Sequence, residues 1–290
     1  MYDCIIIGGG PAGLSAALYT VRAGLSTLVI ARDGGTLGSV AHIQNYFGFA
    51  SPVSGNELAR ATRENLLSMG CNFLDDEVTS LTFGADGYEV RTARESFETP
   101  CVLLALGKGQ SRTTVPNADS YIGSGVSRCA VCDGFFFRGR AVAVVGEGDY
   151  ALSEASELTP LAASVTLMTD GKPIPESFIA SGLPCEGRKI VSLRVEEVLK
   201  AAVLDDGSEL ELDGLFIAQG SAGAAELALK LGIPCSSDGI SVSPDGSTAL
   251  PGIYAAGDCA GKPYQISVAV GEGAKAGLAM IEYVRKKRNK

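Results

Sequence analysis

Residues 3–13 read Asp-Cys-Ile-Ile-Ile-Gly-Gly-Gly-Pro-Ala-Gly, an apolar run that breaks into a glycine-rich turn. Ile5-Ile6-Ile7 has the uninterrupted hydrophobicity of a strand buried on both faces. In the turn, Gly8 permits the tight reversal and Gly10 lets the backbone approach a pyrophosphate. Gly13 allows close helix–strand packing. An Ala-rich stretch from Leu14 to about Ala23 predicts a helix, and Thr27-Leu28-Val29-Ile30 predicts the next strand. The unit is βαβ, with parallel strands and a right-handed crossover. Its helix N-terminus offers unpaired N–H groups to phosphates. A dinucleotide is the expected ligand; the alternative is a turn that binds nothing.

The pattern recurs. Ala141–Val145 is a strand candidate, Gly146-Glu147-Gly148-Asp149-Tyr150-Ala151 is a second G-x-G-x-x-A turn, a helix runs to about Leu161, and Ser164–Met168 is the following strand. Val102–Leu106 ends in Gly107 as another buried strand, Ile253–Asp258 reads similarly, and a small-residue helix runs from about Ser267 to Lys286. The expected fold is α/β: two Rossmann-like, three-layer dinucleotide-binding domains, one inserted in the other. Residues 1–110 and 244–290 form the first domain and 111–243 the insertion, with the turn Ser243-Pro244-Asp245-Gly246 marking the return crossover.

A net charge of −9 argues against nucleic acid as a partner, because phosphate binding needs a basic surface. No apolar run reaches the length of a membrane span, and the first residues lack the pattern of a secretory signal, so the expected location is cytoplasmic. The basic run Arg285-Lys286-Lys287-Arg288-Asn289-Lys290 is either a solvated helix end favoured by the helix dipole or a contact for an acidic partner.

Eight cysteines are scattered except for one pair, Cys129-Ala130-Val131-Cys132, followed by Asp133-Gly134. By spacing alone the pair is a redox disulfide or half of a zinc site. There is no second C-x-x-C and a single histidine, His42, so no metal site is expected. A hydrolase is poorly supported for the same reason. As a redox pair, the cysteines would exchange with a substrate disulfide through a thiolate, and Asp133 could move the proton.

These residues resemble, in order and over nearly the whole chain, the low-molecular-weight thioredoxin reductases. The resemblance is carried by Gly8–Gly13, Ile43-Gln44-Asn45-Tyr46-Phe47-Gly48-Phe49, Gly125-Val126-Ser127, Cys129–Phe137, the second glycine turn and Ala255-Ala256-Gly257-Asp258. It implies FAD in the discontinuous domain, with Gly8, Gly10, Pro11, Ala12, Gly13, Asn45, Val78, Gly107, Gly257, Asp258, Gln265 and Ile266 as cofactor-binding residues. It further implies Cys132 as the thiol facing the flavin, Cys129 as the thiol attacking the protein substrate, Asp133 as acid/base, thioredoxin as partner, a homodimer, and two alternating domain orientations.

The chain also departs from that family. In NADPH-using relatives, the strand after the second turn ends in a His-Arg-Arg cluster that binds the 2′-phosphate. Here it ends Met168-Thr169-Asp170-Gly171-Lys172-Pro173, and an anion at 170 would repel the phosphate. Glu147, Asp149 and Tyr150 crowd a loop that should welcome phosphates. Lys262-Pro263-Tyr264-Gln265-Ile266 replaces a Tyr-Arg-Gln-Ala run. These differences resemble the ferredoxin-dependent flavin thioredoxin reductases. The expected activity is therefore FAD-dependent reduction of thioredoxin with ferredoxin as donor. The alternatives are NADH, with Asp170 accepting a ribose hydroxyl, NADPH, a different disulfide substrate, or a flavin-containing redox sensor without turnover.

Overall fold

The computed structural model describes residues 1–32, 35–108, 113–220, 222–236 and 238–289. The chain divides into two compact units, Met1–Gly109 with Gly223–Lys290, and Gln110–Ala222.

In chain order, the first passage through unit 1 contains β1 (Cys4–Ile7), α1 (Pro11–Arg22), β2 (Thr27–Ile30), α2 (Gly35–Gly38), α3 (Gly55–Ser68), β3 (Asn72–Leu74), β4 (Val78–Phe83), β5 (Tyr88–Thr92), β6 (Ser96–Thr99) and β7 (Val102–Leu104). Unit 2 contains β8 (Val126–Ser127), α4 (Ala130–Asp133), β9 (Ala141–Val145), α5 (Asp149–Leu158), β10 (Ser164–Met168), α6 (Glu176–Ala180), β11 (Cys185–Glu186), β12 (Ile190–Val195), β13 (Leu199–Leu204), β14 (Glu209–Glu211) and β15 (Gly214–Ile217). The chain then returns through α7 (Ala224–Lys230), β16 (Cys235–Ser236), β17 (Gly239–Ile240), β18 (Ile253–Ala255) and α8 (Ile266–Arg288).

Each unit is built on a five-stranded parallel sheet, ordered β18-β7-β1-β2-β3 in unit 1 and β11-β10-β9-β15-β8 in unit 2. Each also carries a three-stranded antiparallel sheet, β4-β5-β6 and β12-β13-β14 respectively. This is the expected pair of Rossmann-like domains. The central strands β1, β2 and β7 are buried along their length, as their apolar runs require.

Sequence and structure differ at several boundaries, three of them informative. Helix α1 begins at Pro11, ahead of Leu14, because proline at the first helical position gives up an N–H that has no intrahelical partner. Helix α5 stops at Leu158, short of Leu161. The return crossover falls at Ala222/Gly223, well before Ser243. Residues 223–243 belong with unit 1 because α7 buries Leu227 and Ala228, and Ile240 N–H donates to the Cys259 carbonyl at 2.8 Å. Ser243–Gly246 is instead a turn inside unit 1, closed by Ser243 N–H on Ser247 O and by the Asp245 carboxylate on Ser247 N–H. The outgoing boundary, between residues 110 and 111, lies outside the described residues.

Close backbone approach organises unit 1. A Cβ at Gly13 would stand 2.0 Å from the Gly8 carbonyl oxygen, so α1 presses on the turn after β1 with no room for a side chain. Helix α8 comes equally near: a Cβ at Gly273 would meet Ala12 O at 2.1 Å, and Ser15 Oγ donates to Val270 O at 2.8 Å. At Gly10, by contrast, a Cβ would meet nothing within 4 Å. Gly13→Ala is therefore expected to cost about 3 kcal/mol, and Gly10→Ala no more than about 1 kcal/mol. Urea unfolding followed by circular dichroism checks the contrast; equal losses would show that the close approach is not what holds α1.

Candidate active site

Of the cofactor residues named from the sequence, Gly8, Gly10, Gly107, Gly257 and Asp258 follow the carboxyl ends of the parallel strands β1, β7 and β18, where open α/β sheets bind ligands. Gly8, with φ +119°, turns the chain out of β1; no side chain caps the N-terminus of α1, and the space over Gly10 is open. A Cβ on Gly10 would fill that cradle, so the residues present fit a bound pyrophosphate. Gly107, in the left-handed region at φ +69°, follows β7 and also borders open space. Gly257 and Asp258 follow β18. Gly257 lies so near the start of α1 that a Cβ there would stand 3.0 Å from Ala12 Cβ, and its N–H donates to Glu272 at 2.8 Å. Burial pushes the Asp258 carboxyl above its ordinary pKa, and Lys108 opposes that rise.

Asn45 Nδ2 donates to Gln265 Oε1 at 3.3 Å, which links two residues far apart in the chain just ahead of Ile266, the first residue of α8. Val78 is buried at the start of β4 opposite Thr92, so its polar contribution is limited to its backbone. Two features went unread in the sequence. The Lys108 ammonium sits 4.9 Å from the centroid of the Tyr264 ring, and Glu272 anchors Gly257. Nothing in the local spacing marks either.

In unit 2, Cys129 and Cys132 are joined by a disulfide with Cα atoms 5.3 Å apart. Cys129 stands at the N-cap of α4, and its sulfur accepts the Cys132 N–H at 3.1 Å. Its own N–H donates to Ser127 Oγ at 3.1 Å, and the Ser127 hydroxyl donates to Asp133 Oδ2 at 2.6 Å. Asp133 is thus tied to the cysteine turn through one hydroxyl. Arg128, beside Cys129, is paired with Asp119 at 2.6 Å. Cys129 is buried and Cys132 exposed, with Val131, Phe135 and Phe136 forming exposed apolar surface around them. Cys129 must therefore be uncovered before a protein disulfide can reach it.

The remaining cysteines are free thiols. Burial raises the Cys71 thiol to about 11, Cys259 to about 12, and Cys101 above its ordinary value. They stay protonated near neutrality and are poor nucleophiles. Cys185 and Cys235 are only half-buried.

Over the second glycine turn the space at Gly148 is open, while charged groups of that region are paired within the unit. Glu147 forms an ion pair with Lys172 at 2.5 Å, so the cation expected to serve a phosphate is neutralised from within the loop. Asp170 is 8% exposed and adopts φ +52°. Its Oδ1 accepts the Ile190 N–H at 2.8 Å; its Oδ2 accepts the Thr114 hydroxyl and, at 3.4 Å, Gln219 Nε2. Both oxygens are engaged with groups of this unit. Tyr150 is buried in the first turn of α5. In the basic C-terminal run, Arg288 pairs with Asp3 at 2.5 Å and Lys287 donates to the Asp86 carbonyl. The fold itself therefore accounts for two of those cations.

Residues 2–273 match the family model described as pyridine nucleotide-disulphide oxidoreductase. The chain is 33% identical over 301 residues to thioredoxin reductase of Bacillus subtilis, covering 98% of this chain and 95% of the relative. Among solved structures it is similar to the atypical thioredoxin reductase TRi from Desulfovibrio vulgaris Hildenborough, with 39% identity, a TM-score of 0.92 and 99% of each chain covered. It is also similar to a ferredoxin-flavin thioredoxin reductase from Clostridium acetobutylicum, with 30% identity, a TM-score of 0.70 and 98% of each chain covered. With its glycine cradle in one unit and its disulfide in the other, the chain belongs to the pyridine nucleotide-disulphide oxidoreductase family, as a flavin disulfide reductase of the thioredoxin reductase kind.

Proposed function

We propose that this protein is a thioredoxin reductase whose FAD is filled by a one-electron donor of the ferredoxin kind rather than by a pyridine nucleotide. The carrying observation is Asp170, whose two carboxylate oxygens are consumed by Ile190, Thr114 and Gln219 at the point where NADPH enzymes place arginines. The Glu147–Lys172 pair supports the same reading. A buried anion there repels a 2′-phosphate, and its oxygens already serve Ile190, Thr114 and Gln219, which disfavours a ribose hydroxyl as a further donor.

FAD bound over Gly8–Gly13 supplies a two-electron store that single electrons can fill in turn. Asn45, Gln265, Gly107 and Asp258 are the residues that would orient it. With the Cys129–Cys132 bond reduced, the Cys129 thiolate attacks the thioredoxin disulfide. One thioredoxin sulfur joins Cys129 and the other leaves as thiolate. Cys132 then attacks the mixed disulfide at the Cys129 sulfur, which restores the Cys129–Cys132 bond and releases dithiol thioredoxin. Asp133, held by Ser127, transfers the protons. Val131, Phe135 and Phe136 provide apolar surface for the docked substrate. The assembly expected for this activity is a homodimer.

Two outcomes follow. A Cys132→Ser enzyme should accumulate a stable mixed disulfide with thioredoxin through Cys129, seen on a non-reducing gel, and Cys129→Ser should form none; the reverse pattern would exchange the two roles. Equilibrium dialysis of the holoenzyme against NADPH should show no saturable binding. Micromolar binding would overturn the donor assignment while leaving the thiol chemistry standing.

A further inference from the structure

The second glycine turn keeps its G-x-G-x-x-A spacing although Glu147, Lys172 and Asp170 are paired within the unit. Packing accounts for the spacing. A Cβ at Gly146 would stand 2.2 Å from the Ala218 carbonyl oxygen and 2.7 Å from Ala151 Cβ, so the glycine and the alanine together let α5 seat against the sheet. What α5 then carries is Glu154. This side chain is on a helix face that is otherwise apolar, with Ala151, Ala155 and Leu158, and it is 1% exposed. A buried carboxylate needs hydrogen bonds to offset its lost hydration. Glu154 Oε2 accepts the N–H of Ala130 at 2.7 Å, the first residue of α4 and the immediate neighbour of Cys129.

We propose that Glu154 is a positioning residue for the reactive disulfide, acting through Ala130. The inference rests on the reading of Cys129 as the attacking thiol. The amides near the Cys129 sulfur are divided between two acceptors: Cys132 N–H goes to the sulfur and Ala130 N–H goes to Glu154. This division fixes the pitch of the four-residue helix and leaves the Cys132 amide to stabilise a Cys129 thiolate. It also sets a negative charge one residue from that sulfur. Among the described residues, Asp133 is linked to Cys129 through Ser127, and Arg128 beside Cys129 is paired with Asp119. Glu154 therefore opposes ionisation of Cys129, against the Cys132 amide that favours it. The contact between α5 and the cysteine turn continues at Gly134, where a Cβ would come within 3.1 Å of Leu158.

The test is the pH dependence of iodoacetamide alkylation of Cys129 in the reduced holoenzyme. Mass spectrometry of the Cys129 peptide gives the readout, in a Cys132→Ser background so that one thiol of the pair reports. Glu154→Gln keeps an acceptor for Ala130 but removes the charge, and should lower the alkylation midpoint by about one pH unit. Glu154→Ala removes the acceptor as well. It should lower the midpoint at least as far and, with Cys132 intact, slow thioredoxin turnover, which Gln should largely restore. Flavin absorbance and the melting temperature check that each variant is folded; should the Ala variant fail to fold, the isosteric Gln variant decides alone. An unchanged midpoint in folded Glu154→Gln would overturn the proposal. If the roles of the two cysteines are wrong, the trapping experiment reverses while the midpoint shift persists, so the two failures are distinguishable.

Discussion

Both units depend on one constraint, a helix brought so near a sheet that no side chain fits between them. In unit 1 the contact is Gly13 over the Gly8 carbonyl; in unit 2 it is Ala151 over Gly146, where a Cβ would stand 2.7 Å from the Ala151 Cβ. The same device has two outcomes. In unit 1 the neighbouring Gly10 opens onto free space, and the strand ends beside it carry Gly107, Gly257 and Asp258, so close packing produces a cradle for a dinucleotide. In unit 2 the space over Gly148 is open as well, but Glu147, Lys172 and Asp170 are paired with groups of their own unit. There the close packing serves the disulfide, because it places α5 and its Glu154 against the turn that contains Cys129.

This division changes what the glycine fingerprint means. It reports that a helix is pressed against a strand, and a ligand is a further property of the space above it. The charge environment decides whether that space welcomes phosphate. Asp170 carries a negative charge into a buried position and is satisfied there by three donors from distant parts of the unit. Replacing those bonds with a nucleotide would leave buried donors unpaired, at a cost of about 1–3 kcal/mol for each group.

The fold class, both glycine turns and the reactive cysteines were legible because each rests on contiguous residues with short, fixed spacing. Gly8–Gly13 and Cys129–Cys132 need no knowledge of distant contacts. The partners of Asp170 were not legible. Thr114 and Gln219 lie 56 and 49 residues away in the chain, and neither carries a local mark of its role. Residue type showed the anion at 170 but not the groups that already bind it. The return crossover was misplaced because the turn at Ser243–Gly246 has strong local signals, whereas the packing of α7 and the Ile240–Cys259 bond is visible only in three dimensions. Glu154 was hidden likewise; on a helix of unknown orientation, a glutamate reads as solvent-facing.

The central claim is that the flavin of this enzyme is filled without a pyridine nucleotide. Its most direct test is anaerobic reduction of the FAD-loaded protein, followed by bleaching of the flavin absorbance band, with NADPH, NADH and reduced ferredoxin compared side by side. Reduced ferredoxin is predicted to bleach the band within the turnover time, while both nicotinamides leave it unchanged. Rapid bleaching by NADPH would contradict the account and would mean that the Asp170 network opens to admit the nucleotide.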